Sequence, residues 1–160
     1  MELYNDFVTS VRKAFDEIAP DWESYDGLVI AGTHSPQNVE EQIEKIREAR
    51  EMGRPALLIC LGHQLAAIEY ARTVLGIEDA TSEEFEATGT FVVKKRGALK
   101  VGWHEGESFW NNYEVVIEWE KPAWFFSTQG HPEYTSSIDK PHPLLVQFLT
   151  LCRTYNGNVV

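Results

Sequence analysis

The stretch Pro55-Ala56-Leu57-Leu58-Ile59-Cys60-Leu61-Gly62-His63-Gln64-Leu65-Ala66 constrains this chain more than any other. Apolar residues follow Pro55 and stop at Cys60, which suits a buried strand. From there Leu65, Ile68, Val74 and Leu75 recur at roughly helical spacing up to Gly76, a candidate C′ glycine. Strand therefore passes into helix at Cys60. Such a turn holds the sulfur at a helix N-terminus, where unpaired N–H groups and the helix dipole favour the thiolate. A lone cysteine there reads either as buried packing or as a nucleophile, and the rest of the chain must decide.

Phe7, Val8, Val11, Ala14, Phe15 and Ile18 form the stripe of an amphipathic helix, with Asp6 as its N-cap and Pro20 as its end. Tyr25 to Gly32 reads as a turn and a buried strand, and Thr33 to Gln37 as a loop. Asn38 with Glu41 resembles a capping box for a helix whose buried stripe is Val39, Ile43, Ile46 and Ala49. Gly53 and Pro55 then lead into the strand that ends at Cys60. Strand and helix alternating in this way imply βαβ units and a parallel sheet, whose ligands bind beyond the carboxyl ends of the strands. Gly32 and Cys60 both fall at such ends. Further on, Thr90 to Lys95, a turn at Arg96-Gly97, and Ala98 to Trp103 predict a β-hairpin. Tyr113 to Trp119 and Trp124 to Thr128 predict two more strands about Lys121-Pro122, and Pro143 onward a closing helix.

Ile59-Cys60-Leu61-Gly62-His63-Gln64 resembles the nucleophile elbow of the class I (triad) glutamine amidotransferases, and Gln129-Gly130-His131-Pro132-Glu133-Tyr134 resembles the His-Pro-Glu motif that completes their triad. Both occur in the family's order. Within the family the likeness is greatest to the glutaminase domains of CTP synthases. It rests on Gln64 to Arg72, Val74-Leu75-Gly76, Ala80-Thr81-Ser82-Glu83-Glu84-Phe85 and Lys140-Pro141-His142-Pro143-Leu144-Leu145. The resemblance implies one domain over residues 1–160, with a flavodoxin-like, mostly parallel sheet flanked by helices. Two features modify it: a trimmed N-terminus, where Met1 to Tyr4 supply at most a short first strand, and an added β-hairpin region.

The same resemblance implies an enzyme that hydrolyses L-glutamine to glutamate and ammonia, with Cys60 as nucleophile, His131 as general base and acid, and Glu133 orienting the histidine. It implies an oxyanion hole from the N–H of Leu61 and the stretch around Gly32 and Thr33. Gln64 and Glu84 match substrate contacts, although a helix's first-turn glutamine and a solvated acid are equally ordinary readings of those two. No cofactor or metal is called for. Three positions depart from the family pattern: Leu58 stands where a glycine is usual, Thr33 follows Gly32 where paired glycines are usual, and Asn111-Asn112 precede Tyr113-Glu114-Val115 where CTP synthases carry basic residues. The trimmed N-terminus and altered loop leave open a non-catalytic homologue acting as a binding or regulatory module, and a γ-glutamyl hydrolase would use the same residues.

Length and charge narrow the partners. At 160 residues the chain has no room for a synthetase domain, and no P-loop appears, so ammonia would pass to a separate synthetase or ammonia-accepting subunit, with nucleotide or modified-base synthesis the implied setting. A net charge of −11 opposes nucleic-acid binding, which depends on Lys and Arg. No apolar run approaches the ~20 residues of a membrane span and no signal segment opens the chain, so the expected compartment is the cytoplasm. Of the two cysteines, Cys60 and Cys152, the second suits helix packing.

Overall fold

A computed structural model describes residues 1–104 and 107–155, with the backbone alone over 97–104 and 107–112. The side chains expected to matter in that stretch, those of Asn111 and Asn112 included, lie outside the described residues. Strands β1 (Glu2–Tyr4), β2 (Leu28–Ile30), β3 (Ala56–Ile59) and β7 (Phe125–Thr128) form one parallel sheet in the order β1-β2-β3-β7. The short first strand anticipated at the N-terminus pairs with β2 in register Leu3↔Val29. Between helix α1 (Val8–Ile18) and β2 there is only a 3-10 turn, Trp22–Ser24, in keeping with a trimmed fold.

Alternation along β2 and β3 sends successive side chains to opposite faces. Leu28, Ile30, Ala56 and Leu58 pack under helices α2 (Val39–Met52) and α3 (Leu61–Thr73), with Ile43, Ile46, Leu65, Ile68 and Ala71. Val29, Ala31, Leu57 and Ile59 pack against α1 and α4 (Pro143–Thr154), with Val11, Phe15, Leu145, Phe148 and Cys152. Burial raises the Cys152 thiol to about 12, so this sulfur behaves as packing. Strands buried on both faces must be apolar throughout, which is why neither β2 nor β3 alternates in sequence.

A second sheet orders β4 (Ala80–Ser82), β5 (Thr90–His104) and β6 (Glu107–Val115), with β4 parallel to β5 and β5 antiparallel to β6. The hairpin region is present, but its turn is displaced. β5 runs through Arg96-Gly97, where the register slips between Lys95 and Lys100 rather than reversing, and β5 stays paired with β6 as far as His104↔Glu107. An irregularity inside one long strand had produced the same Gly-containing signal as a turn. Tyr113 lies within β6, and the strand expected up to Trp119 ends at Val115.

Helix ends also differ from the sequence reading. Phe7 occupies the N-cap position of α1, and Asp6 instead accepts a hydrogen bond from Thr33 Oγ1 at 2.8 Å. Asn38 caps α2 by position, in left-handed backbone (φ 53°), without a side-chain cap bond. Val74 and Leu75, expected on the buried stripe of α3, lie beyond its end and are about half exposed. Gly76, expected at C′, lies two residues past the C-cap Val74, in left-handed backbone (φ 72°) that favours glycine.

Candidate active site

Cys60 sits between β3 and α3 with φ 55° and ψ −103°. Positive φ is costly for a residue with a Cβ, and here the surroundings hold it there. The Cys60 N–H donates to Thr128 O at 2.9 Å, and Gln64 N–H donates to Cys60 O at 3.2 Å to begin the helix. Gly62 lets the helix approach β2, since a Cβ there would lie 2.2 Å from Ile30 O. The close packing that an elbow requires is therefore met at Gly62, while Leu58 fills the α2–α3 core. The cysteine is thus turned out of the sheet at a helix N-terminus.

The histidine arrives by register. β7 pairs with β3 as Ile59↔Thr128, so the residues after Thr128 emerge beside Cys60. Gly130 N–H donates to Thr128 Oγ1 at 3.1 Å, and a 3-10 turn, Pro132–Tyr134, folds Glu133 back on the preceding ring. His131 Nδ1 and Glu133 Oε1 are 2.7 Å apart, and both residues are buried. With Nδ1 engaged by the carboxylate, Nε2 is the nitrogen left for the hydrogen bond between His131 and Cys60. Burial alone would lower the imidazole pKa, but the bonds to Cys60 and Glu133 and their charges raise it from 6.5 to about 9.

Gly32 stands against both Cys60 and His131. A Cβ on it would come within 3.1 Å of His131 Cε1 and 3.3 Å of Cys60 Cβ. Thr33, also buried, keeps negative φ, as does Gly32, so the threonine in place of a second glycine carries no backbone strain. Leu61 opens α3, and the first N–H groups of a helix have no intrahelical acceptor. Gln64, 1% exposed, lies one helical turn beyond Cys60 and hydrogen-bonds the Glu84 side chain. Glu84 is not the solvated acid its neighbours suggest: burial raises its pKa, against the opposing bond from Gln64. Gln64 Oε1 and Glu84 Oε2 are both buried without a partner.

Three neighbours had no assigned role in the sequence reading. Gln129 Nε2 points at Cys60 Sγ, 3.6 Å away. The Phe7 ring meets His34 at 5.0 Å and His131 at 5.9 Å, both edge-on. His63 Nδ1 is 2.7 Å from Ser127 Oγ, its ring against Trp119, and burial followed by the Lys121 charge lowers it to about 3. The variable position of the elbow motif carries no sequence signal that could have revealed this. Among the described residues no cluster of three or more His, Cys, Asp or Glu is placed to hold a metal, and no helix is long and apolar enough to cross a membrane.

The family model for glutamine amidotransferase class-I matches residues 5–119. The match includes Gly32, Cys60 and Glu84 and ends before His131. Among curated proteins, the chain is 33% identical over 184 residues to a CTP synthase of Methanoculleus marisnigri, covering 83% of this chain and 35% of that protein. It is 31% identical over 182 residues to a CTP synthase of Encephalitozoon cuniculi, covering 78% and 33%. The chain thus spans about a third of the length of these relatives. Among solved structures, the Trypanosoma brucei CTPS glutaminase domain with bound acivicin superposes with a TM-score of 0.73 at 19% identity, covering 96% of this chain and 91% of that one, a likeness of fold.

Proposed function

The chain belongs to the class-I glutamine amidotransferases, and from that premise we propose that it hydrolyses L-glutamine through Cys60, His131 and Glu133 and delivers ammonia to a synthetase partner. The observation that carries this reading is the pairing of a strained, half-buried cysteine at a helix N-terminus with a buried histidine bonded to both that cysteine and a carboxylate. The Cys60 thiolate attacks the side-chain amide carbon of glutamine. His131, having taken the thiol proton, gives it to the amide nitrogen as the C–N bond breaks, which releases ammonia and leaves a γ-glutamyl thioester. Water, deprotonated by the same imidazole, then cleaves the thioester to glutamate. Glu133 keeps the ring in the tautomer and orientation these transfers need.

The oxyanion of each tetrahedral intermediate would be met by the N–H of Leu61 and by the Gly32–Thr33 backbone, a lost donor costing about 3 kcal/mol of barrier. Gln64 Oε1 and Glu84 Oε2, acceptors with nothing to accept from, suit the α-ammonium of the substrate. The likeness to CTP synthases supports an ammonia acceptor in nucleotide or modified-base synthesis.

The deciding measurement is intact mass after incubation with an electrophilic glutamine analogue. One adduct on Cys60, absent in Cys60→Ala, slowed by His131→Ala and blocked by excess glutamine, is the expected result. No adduct on a folded protein whose Cys60 still reacts with a small general thiol reagent would overturn it. Equal ammonia and glutamate from free glutamine, without turnover of γ-glutamyl peptides, separates this activity from a γ-glutamyl hydrolase.

A further inference from the structure

Asn5 follows β1 in left-handed backbone (φ 76°), and Gln42, on helix α2, is 2% exposed. Their side-chain amides face each other. Asn5 Nδ2 donates to Gln42 Oε1 at 2.9 Å and to Ala31 O at 2.9 Å. Gln42 Nε2 donates to Asn5 Oδ1 at 3.0 Å and to Gln37 O at 2.9 Å. Every N–H of both amides is used, and two of the four bonds end on carbonyls at opposite ends of the 31–37 loop.

The identity of the pinned carbonyl is what matters. Ala31 C=O and Gly32 N–H belong to one planar trans peptide and point in opposite directions, so holding the first aims the second. The next peptide is held in the same way, because Phe7 N–H donates to Gly32 O at 3.2 Å, which orients Thr33 N–H. Thr33 Oγ1 is tied in turn to Asp6. The turn that follows β1 thus grips the loop beside Cys60 and His131.

We propose that Asn5 and Gln42 are positioning residues: their paired amides lock the Ala31–Gly32 peptide so that the loop's N–H groups are aimed in advance at the oxyanion formed on Cys60. Neither residue touches the reacting atoms. The inference rests on the glutaminase reading and adds to it a source of preorganisation in the β1–α1 turn.

Asn5→Gly keeps the left-handed φ without cost and removes the amide. Asn5→Asp keeps an acceptor for Gln42 Nε2 and loses both donations, to Ala31 O and to Gln42 Oε1. Gln42→Leu removes the partner. All three should lower kcat for glutamine at least tenfold with KM within about threefold, while alkylation of Cys60 by iodoacetamide, which forms no oxyanion, changes less than twofold. Asn5→Gly with Gln42→Leu should be no slower than the worse single variant. In hydrogen exchange, the amides of Ala31 and Phe7 should open faster in Asn5→Gly than in the wild type. Wild-type kcat in both Asn5 variants, or a loss matched by equal loss of iodoacetamide reactivity, overturns the proposal. A wild type that neither hydrolyses glutamine nor traps the analogue overturns the glutaminase reading instead, and exchange at Ala31 and Phe7 then decides whether the brace exists: unchanged rates in Asn5→Gly reject it.

Discussion

Two histidines, one hydrogen-bonded to Cys60 and one three residues after it in the chain, are pushed in opposite directions. His131 gains more from its partners than burial takes away and is raised to about 9, whereas His63, partly buried beside Ser127 and near the Lys121 charge, falls to about 3. Raised above its unfolded value, His131 stabilises the fold fully below about pH 6.5 and loses that contribution as pH climbs to about 9. The melting-temperature advantage of wild type over His131→Gln should therefore shrink across that window; an advantage independent of pH would contradict the assignment. His63 acts with the other sign. Its neutral form is favoured by folding, so its contribution is present above about pH 6.5 and is lost as pH falls below it, and His63→Gln should flatten the acid limb of the stability curve. Glu133→Gln should cost about 10²-fold or more in kcat with little change in KM, since the histidine loses the partner that sets its tautomer. Comparable losses in kcat and KM would instead indicate a binding role.

At the scale of elements, the site depends on how α3 is seated. Its first turn lies so close to β2 that a methyl at Gly62 would collide with the Ile30 carbonyl, a backbone atom that cannot rotate away. Gly62→Ala should cost about 1–3 kcal/mol in urea unfolding and reduce analogue trapping, because the helix must shift with Cys60 at its end. A variant with wild-type stability would mean that the helix has room to move. On its other side α3 is joined to α2 by Arg50, whose Nε and Nη2 bond the carboxylate of Glu69, itself 1% exposed. Removing one partner leaves a buried charge, so Arg50→Ala should destabilise by about 3–5 kcal/mol. Replacing both residues by apolar ones of similar size should cost much less. The apolar periodicity of α1, α2 and the β3–α3 junction made these elements readable from sequence, but their caps were not. Asp6 has the chemistry of an N-cap yet bonds Thr33, because the neighbouring loop offers a donor that no local rule could register.

In the whole molecule, β2 and β3 belong to both cores, one face to each, so neither helix layer can leave without stripping the same strands. Unfolding in urea should be a single transition. Single-tryptophan variants retaining either Trp22, buried against α1, or Trp124, packed against the opposite core, should report the same midpoint; two midpoints would mean that the layers unfold separately. The sequence by itself determined the alternation of strand and helix, the strand-to-helix turn at Cys60 and, through the Cys-Leu-Gly and His-Pro-Glu motifs, the family and the two residues, Cys60 and His131, on which the proposed chemistry rests. These follow from periodicity and from short motifs whose residues act on one another within a few positions. Tertiary structure alone decided that Thr128 pairs with Ile59 and so brings His131 to Cys60, that Gly62 rather than position 58 admits the close contact, that β5 stays paired with β6 as far as His104↔Glu107, and that Asn5 and Gln42 meet across 37 residues to hold the Gly32 loop. Hydrogen bonds and steric contacts between distant segments depend on where the whole sheet and its helices place each backbone, and no local pattern encodes that.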